Sequence, residues 1–358
     1  MKKINQLFVF GLTVSTLLFT ACSSDDDNYT FEPDADYIEG VVVLNEGNFG
    51  AGNASVSFIG DNGSLINSIF KAANGGQNLG DVAQSMYMDD DKAYIVLNGS
   101  GTVEVVNRYT FEHVGTISSG LSNPRYILIE NGKGYVSNWG DPSDPNDDFI
   151  AVVNLNSYTV EASIPVVEGP EKMTKANGKI YVAHMGGWGY GNSVSVINLA
   201  NNSISGSIEV GDVPHGMVED NGILYVLCSG KAAWTGEETD GGLFAYHIAS
   251  NAMLSVSTIS NQHPTHLVKD DGKLYYTMDG NVYSTSLTNP IHSTNPLFSM
   301  ADQSVFGAYG FAVNNGKIYV ADAGDYISNG TVYVYSTSGN LLNDYSVGFL
   351  PNDFGFND

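Results

Sequence analysis

A five-residue segment of the type Gly-Lys-x-Tyr-Val recurs along the chain, and its tyrosines stand 41 to 50 residues apart. Internal repeats of about 40–50 residues are typical of propellers and other arrays in which each repeat packs only on its neighbours. The repetition therefore constrains the fold before any single residue is considered. The copies and their variants are GVVVL 40–44, DKAYI 91–95, GKGYV 132–136, GKIYV 178–182, GILYV 222–226, GKLYY 272–276 and GKIYV 316–320.

Each copy is followed by alternating runs such as SVSVINL at 193–199 and ISGSIEV at 204–210. Alternation with period two, together with Val, Ile and Tyr and flanking Gly and Asn, is typical of short β-strands. No segment keeps a helical period over three turns. Residues 38–358 divide into seven units of about 46 residues, enough for four short strands and their turns. The sequence therefore predicts an all-β, seven-bladed β-propeller.

A second segment, which usually begins with proline, precedes the repeated start, as in NPRYILIE at 123–130 and VPHGMVED at 213–220. One copy is displaced, because LPNDFGFN stands at 350–357 while nothing similar precedes the first repeat. We expect this C-terminal strand to pair with 41–44 and close the ring, since closure hides two sheet edges that otherwise promote aggregation.

The first 21 residues have the features of a lipoprotein signal peptide. Lys2 and Lys3 precede a run that is too short to span a bilayer core of about 30 Å, and Ala21 leads into Cys22 as in a lipobox. Acylated Cys22 is expected to anchor the mature protein. The acidic run at 25–27 resembles the export signal of Bacteroidetes surface lipoproteins. We therefore expect an acidic flexible tether at 22–37 and a location on the outer face of the outer membrane.

The net charge and the cysteine count limit the classes of partner and site that the protein can have. Asp and Glu number 39 against 14 Lys and Arg, a net charge of −25, which repels phosphate backbones and makes nucleic acid a poor partner. Cys228 is the only cysteine besides Cys22, so an acylated Cys22 leaves no disulfide and no cysteine metal site. Cys228 follows an apolar run and is expected to be buried. The chain contains no phosphate loop, zinc signature or Gly-x-Ser-x-Gly elbow.

The stretch from Gly178 to Val226 resembles the repeat of YVTN/YncE-type propellers, and the resemblance covers 38–358. With its lipoprotein start and VVVLNEGNFG at 41–50, the chain is most similar to the BtuG group of surface propellers. This resemblance implies a protein that captures cobalamin or another corrinoid and passes it to a TonB-dependent outer-membrane transporter. Cobalamin is then a ligand and not a catalytic cofactor, and we expect a binding protein and not an enzyme.

Glycine-rich segments such as HMGGWGYGNS at 184–193 follow the repeated strand. In a propeller, loops at this position lie on the face where the innermost strands enter the channel. All three tryptophans of the chain fall in such loops of three consecutive blades, which favours a ligand platform over core packing. Glycine also lets backbone amides approach a ligand closely. The aromatic candidates for ligand binding are Phe49, Trp139, Trp188, Tyr190, Trp234 and Tyr326.

The residues that follow each proline are expected to ring the channel mouth. Arg125 and Glu171 fall on adjacent blades and could pair with each other or contact a ligand. An Arg–Glu–His constellation also resembles the seven-bladed lactonases, so an enzyme with His215 or Glu171 as general base is an alternative. A glycan-binding or protein-binding propeller is a further alternative. The predicted ring consists of Gln84, Arg125, Glu171, His215, Thr265, Tyr309 and Asn352.

His184, His215 and His266 are further candidates, because imidazole binds metals, including the cobalt of a corrinoid. The acidic loop from Asp141 to Asp148 carries oxygen ligands of the kind that calcium prefers. Its spacing does not match a twelve-residue calcium loop, so we interpret it as a solvated acidic loop and expect no resident metal.

Overall fold

Seven four-stranded antiparallel sheets follow one another along the chain and confirm the predicted seven-bladed β-propeller. The structure is a computed structural model that describes residues 36–141, 143–187 and 189–358. The predicted signal peptide, Cys22 and the predicted tether up to residue 35 lie outside the described residues, as does Trp188. Within the part that the structure describes, none of the helices has the length and apolar character needed to cross a membrane.

The strands are numbered in chain order. Blades 1 and 2 contain β1 (Gly40–Asn45), β2 (Ser55–Gly60), β3 (Leu65–Ile66), then β4 (Ala83–Asp89), β5 (Lys92–Leu97), β6 (Thr102–Asn107) and β7 (His113–Ile117). Blades 3 and 4 contain β8 (Pro124–Glu130), β9 (Lys133–Asn138), β10 (Phe149–Asn154), β11 (Thr159–Pro165), then β12 (Pro170–Ala176), β13 (Lys179–His184), β14 (Ser193–Asn198) and β15 (Ser203–Glu209). Blade 5 contains β16 (Pro214–Asp220), β17 (Ile223–Cys228), β18 (Gly241–His247) and β19 (Ala252–Ile259). Blades 6 and 7 contain β20 (Thr265–Asp270), β21 (Lys273–Met278), β22 (Asn281–Ser286), β23 (Phe298–Ser299), then β24 (Gly310–Asn314), β25 (Lys317–Asp322), β26 (Asn329–Ser336) and β27 (Leu341–Phe349). The last strand is β28 (Pro351–Asn357).

The C-terminal strand closes the ring as predicted. β28 is the innermost strand of blade 1 and pairs with β1 in an antiparallel register that places Gly40 opposite Asn357. The Asn357 side chain is 1% exposed and donates to the carbonyls of Tyr37 and Arg108 at 2.6 and 2.9 Å. Its oxygen accepts from Arg108 Nε at 2.8 Å. These bonds fasten the C-terminal strand and the N-terminal segment to blade 2.

The packed body begins slightly before the predicted boundary at residue 38. Tyr37, the last residue of the predicted tether, is buried, and its ring lies 5.4 Å from that of Phe58 and 5.9 Å from that of Phe111. Its backbone N–H donates to the carbonyl of Tyr109 at 2.9 Å. Tyr37 therefore belongs to the propeller.

Burial explains why one tyrosine recurs. It occupies the second strand of six blades, within a run of buried residues, and it is at most 4% exposed. Each ring packs in an apolar cluster that joins two blades, as Tyr94 of blade 2 does with Val136 of blade 3. Cys228 is also fully buried, as predicted. The six tyrosines are Tyr94, Tyr135, Tyr181, Tyr225, Tyr275 and Tyr319.

Tight turns join the first strand of most blades to the second. Asn131 and Gly132 have φ of 53° and 72°, and Asn177 and Gly178 have φ of 51° and 71°. Two successive positive φ values are the requirement of a type I′ hairpin turn, which Asn-Gly satisfies best. These turns lie on one face of the propeller. The loops that join second to third strands, and the connections between successive blades, lie on the opposite face, hereafter the loop face.

Blade 1 departs from the repeat. Its outermost strand β3 pairs with β2 at two positions only, and the chain then forms the short helix α1 (Ile69–Ala73), which packs on β2. Ile69 and Phe70 are buried against the blade. A helix of five residues is too short to show a periodic pattern, which is why the sequence did not predict it.

Candidate functional site

All seven residues predicted to ring the channel mouth line a single cavity of about 410 Å³ on the propeller axis. Most of them stand at the start of an innermost strand, where the chain turns down from the loop face. The period of the repeat therefore located this ring correctly. The ring consists of Gln84, Arg125, Glu171, His215, Thr265, Tyr309 and Asn352.

Bulges bring a second set of side chains into the cavity. Six of the seven innermost strands shift register near their start. In β12 the shift falls between Pro170 and Met173, so Glu171 and Lys172 have no partner on β13 and both line the cavity. A bulge re-aims side chains in this way. An alternating pattern of inward and outward side chains assigns only one residue at the start of each innermost strand to the channel. It therefore does not identify Tyr126, Lys172 and Asp353, which also line the cavity.

Strained backbone accompanies these bulges. Val82, Asn123, Val213 and Leu350 each precede an innermost strand and have φ between 48° and 55°. A positive φ is a genuine outlier for a β-branched residue such as valine. Such strain persists only where the surrounding structure imposes it, and it is common at ligand sites. Here it turns the chain sharply into the channel and sets where the ring residues point.

An ion pair holds one side of the mouth. Arg125 Nε donates to Glu171 Oε1 at 2.7 Å, with the two side chains 18% and 4% exposed. The guanidinium also donates to Gln84 Oε1 at 2.6 Å, so one arginine ties blades 2, 3 and 4 together. Burial raises the pKa of Glu171, and Arg125 opposes this rise. The predicted pairing across adjacent blades is therefore present.

Trp139 covers this ion pair. Its ring centroid lies 4.1 Å from the guanidinium carbon of Arg125, and its indole N–H donates to the carbonyl of Pro170 at 3.2 Å. It is only partly exposed. Trp139 thus belongs to the wall of the mouth and presents less surface to a ligand than the platform prediction assumed.

Tyr309 and Glu46 form the opposite side of the mouth. The Tyr309 hydroxyl donates to Glu46 Oε2 at 2.6 Å, and the ring of Tyr326 packs edge-on against Tyr309 at 5.7 Å. Burial raises the pKa of Glu46, while the Tyr309 hydrogen bond and nearby Arg125 oppose the rise. Glu46 stands just after β1 and outside the repeated motif, so no repeat marks it in the sequence.

Two of the three candidate histidines meet in the channel. The rings of His215 and His266 lie 5.5 Å apart, and His266 Nδ1 lies 3.0 Å from the hydroxyls of Thr265 and Thr277. Burial lowers the pKa of His215 to about 4 and lowers that of His266 well below its ordinary value; Lys172 adds to both shifts. Both rings are therefore neutral at pH 7.

His184 does not join them. It is the last residue of β13, is fully buried, and its Nε2 lies 2.9 Å from Ser195 Oγ. Its side chain, predicted to contact a ligand, neither lines the channel cavity nor is exposed on the loop face, because β13 extends through the first residue of the glycine-rich segment. Among the described residues, no three His, Cys, Asp or Glu side chains are arranged to hold a metal ion.

Large apolar side chains stand exposed on two sides of the loop face. Lip A comprises Phe49, Phe306, Tyr326 and Ile327, whose side chains are 60–87% exposed. They lie in the loops of blades 1 and 7 and in the connection that leads into blade 7. Lip B comprises Val167, Tyr190 and Trp234, which are 43–83% exposed and lie in the loops of blades 4 and 5 and in the connection that leads into blade 4. In a ring of seven blades these groups lie across the channel from each other. The other exposed large apolar side chains of the described residues lie on outermost strands or on the opposite face. Clustered exposed apolar groups are typical of a binding surface.

Loop lengths differ around the loop face. The loops between second and third strands are short in blade 2 (98–101) and blade 6 (279–280). They are long in blade 3 (139–148) and blade 5 (229–240). The blades with the short loops therefore lie between the blades that carry lip A and lip B. The space between the two lips, over the channel mouth, is hereafter called the cleft.

The acidic loop after β9 holds itself together. Asp147 accepts from the backbone N–H of Asp141 at 2.8 Å, and Asp144 accepts from that of Asn146 at 3.0 Å. Asp148 is 2% exposed and accepts from the N–H of Gly169 at 2.6 Å; burial raises its pKa to about 6. These carboxylates bind backbone N–H groups within the protein, and Asp148 is buried although the loop was predicted to be solvated.

The loop face is acidic. The connections on this face carry fourteen acidic side chains, while Lys71 and Lys231 are the basic ones. A surface of this charge attracts cations and repels polyanions. The acidic residues are Glu46, Asp81, Asp141, Asp144, Asp147, Asp148, Glu168, Asp212, Glu237, Glu238, Asp240, Asp279, Asp302 and Asp325.

Solved structures with a similar fold come from several bacteria. A quinoprotein alcohol dehydrogenase-like protein from Bacteroides thetaiotaomicron shares 14% identity over 90% of this chain and 79% of its own, with a TM-score of 0.66. A functionally unknown protein from Desulfotomaculum acetoxidans shares 12% over 88% and 98%, with a TM-score of 0.64. BamB from Moraxella catarrhalis shares 16% over 89% and 86%, with a TM-score of 0.54. At these identities the likeness concerns the fold alone.

No curated protein sequence matches the chain significantly. The profile of the domain of unknown function DUF5074 matches residues 39–348, which is nearly the whole propeller. The chain therefore belongs to the DUF5074 family.

Proposed function

We propose that this chain is a cell-surface binding protein that captures a corrinoid, cobalamin foremost, in the cleft between lip A and lip B. A TonB-dependent transporter of the outer membrane is the proposed recipient. One observation carries the proposal: two groups of exposed aromatic and aliphatic side chains flank a polar channel mouth. The resemblance to the BtuG group supplies the ligand class.

Size argues for binding over the mouth. The channel cavity of about 410 Å³ is too small for a corrin ring with its side arms. The ring therefore lies between the lips, and only an arm enters the channel. Its fringe of amides meets hydrogen-bonding partners there, among them Gln84 and Tyr309.

The apolar surface is sufficient in magnitude. An aromatic side chain buries about 150–250 Å² when fully covered, or ~4–6 kcal/mol at about 25 cal/mol per Å². If a ligand covers half of each exposed ring, Phe49, Tyr190, Trp234 and Tyr326 together contribute ~8–12 kcal/mol. Association costs ~4–15 kcal/mol. Stacking thus offsets much of the cost, and the polar mouth supplies the remaining affinity and the specificity.

Charge favours a ligand without excess negative charge. The loop face carries fourteen acidic side chains against two lysines. A corrinoid of near-zero net charge avoids the repulsion that a polyphosphate or an acidic polymer meets on this surface.

The direction of β1 is compatible with a lipid anchor that precedes the propeller in the chain. β1 runs from the opposite face toward the loop face, so residues 36–39 approach the propeller from the side away from the lips. With a lipid on Cys22, as we propose, the cleft remains free of the anchor.

Binding is favoured over lactone hydrolysis by the state of the channel groups. One carboxylate oxygen of Glu171 is held by Arg125, and burial lowers the pKa of His215 to about 4, far below the neutral range in which a general base works best. A glycan is the second candidate, because the exposed aromatic side chains of the two lips can stack on sugar faces.

The test is equilibrium dialysis of cyanocobalamin against the propeller and three variants. Trp234→Ala and Tyr326→Ala remove one ring from each lip, while Ile291→Ala removes an exposed apolar side chain from the opposite face and serves as the control. Loss of a half-covered ring weakens binding by about 30- to 150-fold, since ~2–3 kcal/mol is lost. The Ile291 variant is expected to bind as the wild type does.

Equal affinity of all four proteins would place the ligand elsewhere on the molecule. Absence of cyanocobalamin binding, together with binding of a linear hexasaccharide that both lip variants weaken, would replace the corrinoid with a glycan. Binding of neither probe would leave the fold intact and refute capture of both ligand classes.

A further inference from the structure

Lys172 is a channel lysine without an ion pair. It is the second bulged residue of β12 and lines the cavity with Tyr126, whose ring centroid lies 6.0 Å from its Nζ. Among the described residues, the lysines that form ion pairs are Lys92, Lys133, Lys175, Lys231, Lys269 and Lys317.

The acidic neighbours of Lys172 are engaged elsewhere. Glu171 Oε1 accepts from Arg125 at 2.7 Å. Asp353 accepts from the backbone N–H groups of Met86 and Phe354, each at 2.9 Å. Burial lowers the pKa of Lys172, and these two carboxylates oppose the shift from a distance. Among the described residues no side chain or carbonyl accepts a hydrogen bond from Lys172 Nζ, so its donors are available to a ligand in the cavity.

The two histidines on the channel wall carry no charge. His215 and His266 are neutral at pH 7, because burial and the field of Lys172 lower their pKa values. Neutral imidazoles offer further polar contacts to a ligand without adding repulsion to Lys172. On this side of the cavity the lysine therefore stands beside neutral polar rings.

We infer that Lys172 forms a subsite that receives a hydrogen-bond acceptor of the ligand, a carboxylate or an amide carbonyl on an arm that enters the channel. The inference rests on the proposed function in one respect, since the arm belongs to the molecule that the cleft captures. A charge-assisted hydrogen bond to an ammonium is about twice as strong as a neutral one. Lys172 is then a specificity-determining residue of the cleft.

The acceptor carries at most one negative charge. Glu46, Glu171 and Asp353 share the cavity with Lys172 and Arg125, so acidic groups there outnumber basic ones. A dianion such as hydrogen phosphate is repelled by this wall, whereas a monoanionic carboxylate or a neutral carbonyl is not. Carbonyl-type acceptors are therefore preferred over phosphate.

The subsite is tested on the propeller with the small probes acetate, acetamide and inorganic phosphate. Residues 36–358 contain ten lysines, so protein labelled with ¹³C at the lysine Cε gives a spectrum simple enough to follow each one. Lys172→Met identifies the Lys172 signal by its loss. Lys231, on the loop face and outside the channel, is the internal control.

Titration with acetate is expected to shift the Lys172 signal along a saturable curve while the Lys231 signal follows a sodium chloride control. Titration with acetamide distinguishes the two kinds of acceptor. If acetamide shifts the Lys172 signal as much as acetate does, the subsite accepts an amide carbonyl; if only acetate shifts it, the subsite accepts a carboxylate. If neither probe moves Lys172 more than Lys231, or phosphate binds more tightly than acetate, the inference is overturned. No corrinoid is used, so this result is independent of whether cyanocobalamin binds.

Discussion

Glu171→Gln tests the role of the ion pair at the channel mouth. The substitution removes the negative charge that compensates Arg125 but leaves an oxygen that accepts the 2.7 Å hydrogen bond. Breaking a buried ion pair costs about 3–5 kcal/mol. Arg125 is 18% exposed and keeps its bond to Gln84, so we expect a smaller loss of ~2–3 kcal/mol in the free energy of unfolding. For a domain of this size that lowers Tm by roughly 3–4 °C.

Thermal unfolding followed by circular dichroism measures this loss. Glu46→Gln is the matched control, because it also neutralises a half-buried channel carboxylate whose pKa is raised by loss of solvent; it is expected to leave Tm unchanged or slightly higher. In the double variant with Arg125→Gln, part of the lost stability is expected to return, since no unpaired guanidinium remains. A Tm of Glu171→Gln within about 1 °C of wild type would refute the reasoning and show that channel water solvates Arg125 adequately.

Two further substitutions test the ring closure and a buried carboxyl. Asn357→Ala removes three hydrogen bonds and is expected to cost ~3 kcal/mol in a denaturant titration, whereas Asn343→Ala on an exposed strand changes little; equal effects would contradict the fastening role. Asp148→Asn is expected to stabilise the protein by ~2 kcal/mol at pH 7.5, because the folded pKa of about 6 exceeds the unfolded value near 3.9. The aspartate's favourable contribution is present below about pH 4 and is lost as the pH rises through 6. Melting curves at pH 7.5 and pH 4 check this, and a gain that persists unchanged at pH 4 would contradict it.

The fold was predictable because its determinants repeat. A buried tyrosine such as Tyr181 recurs in the second strand of six blades, and a displaced copy of the innermost strand at 350–357 reveals how the ring closes. The ring of channel residues followed from the same register. Repetition averages out local exceptions, so seven imperfect copies define an architecture that one copy does not.

The site was less predictable, because it depends on departures from the repeat. Lys172 faces the channel through a bulge, and nothing in the alternation of β12 marks where two successive residues lose their partners. Trp139 occupies a loop of the expected kind, yet its ring packs on Arg125. The sequence places a loop on a face, whereas the direction of a side chain within it depends on contacts with neighbouring blades.

The glycine-rich loops illustrate a partial success. Trp234 and Tyr326 stand exposed on the loop face, in agreement with the predicted aromatic face. Phe306 and Ile327 share that face and were not predicted, because Phe306 lies in the connection between blades 6 and 7, outside the glycine-rich loops, and Ile327 is not aromatic. His184 was assigned to the loop, but the hydrogen bonding of β13 extends through it.

The central claim is that the cleft binds a corrinoid, and isothermal titration of cyanocobalamin into the propeller beginning at Asp36 tests it most directly. Starting at Asp36 retains Tyr37, which packs against Phe58 and Phe111. The account predicts a saturable exchange of heat with one ligand per chain and submicromolar affinity, weakened by Trp234→Ala. A trace without binding heat at several temperatures, from protein with a cooperative melting transition, would contradict it.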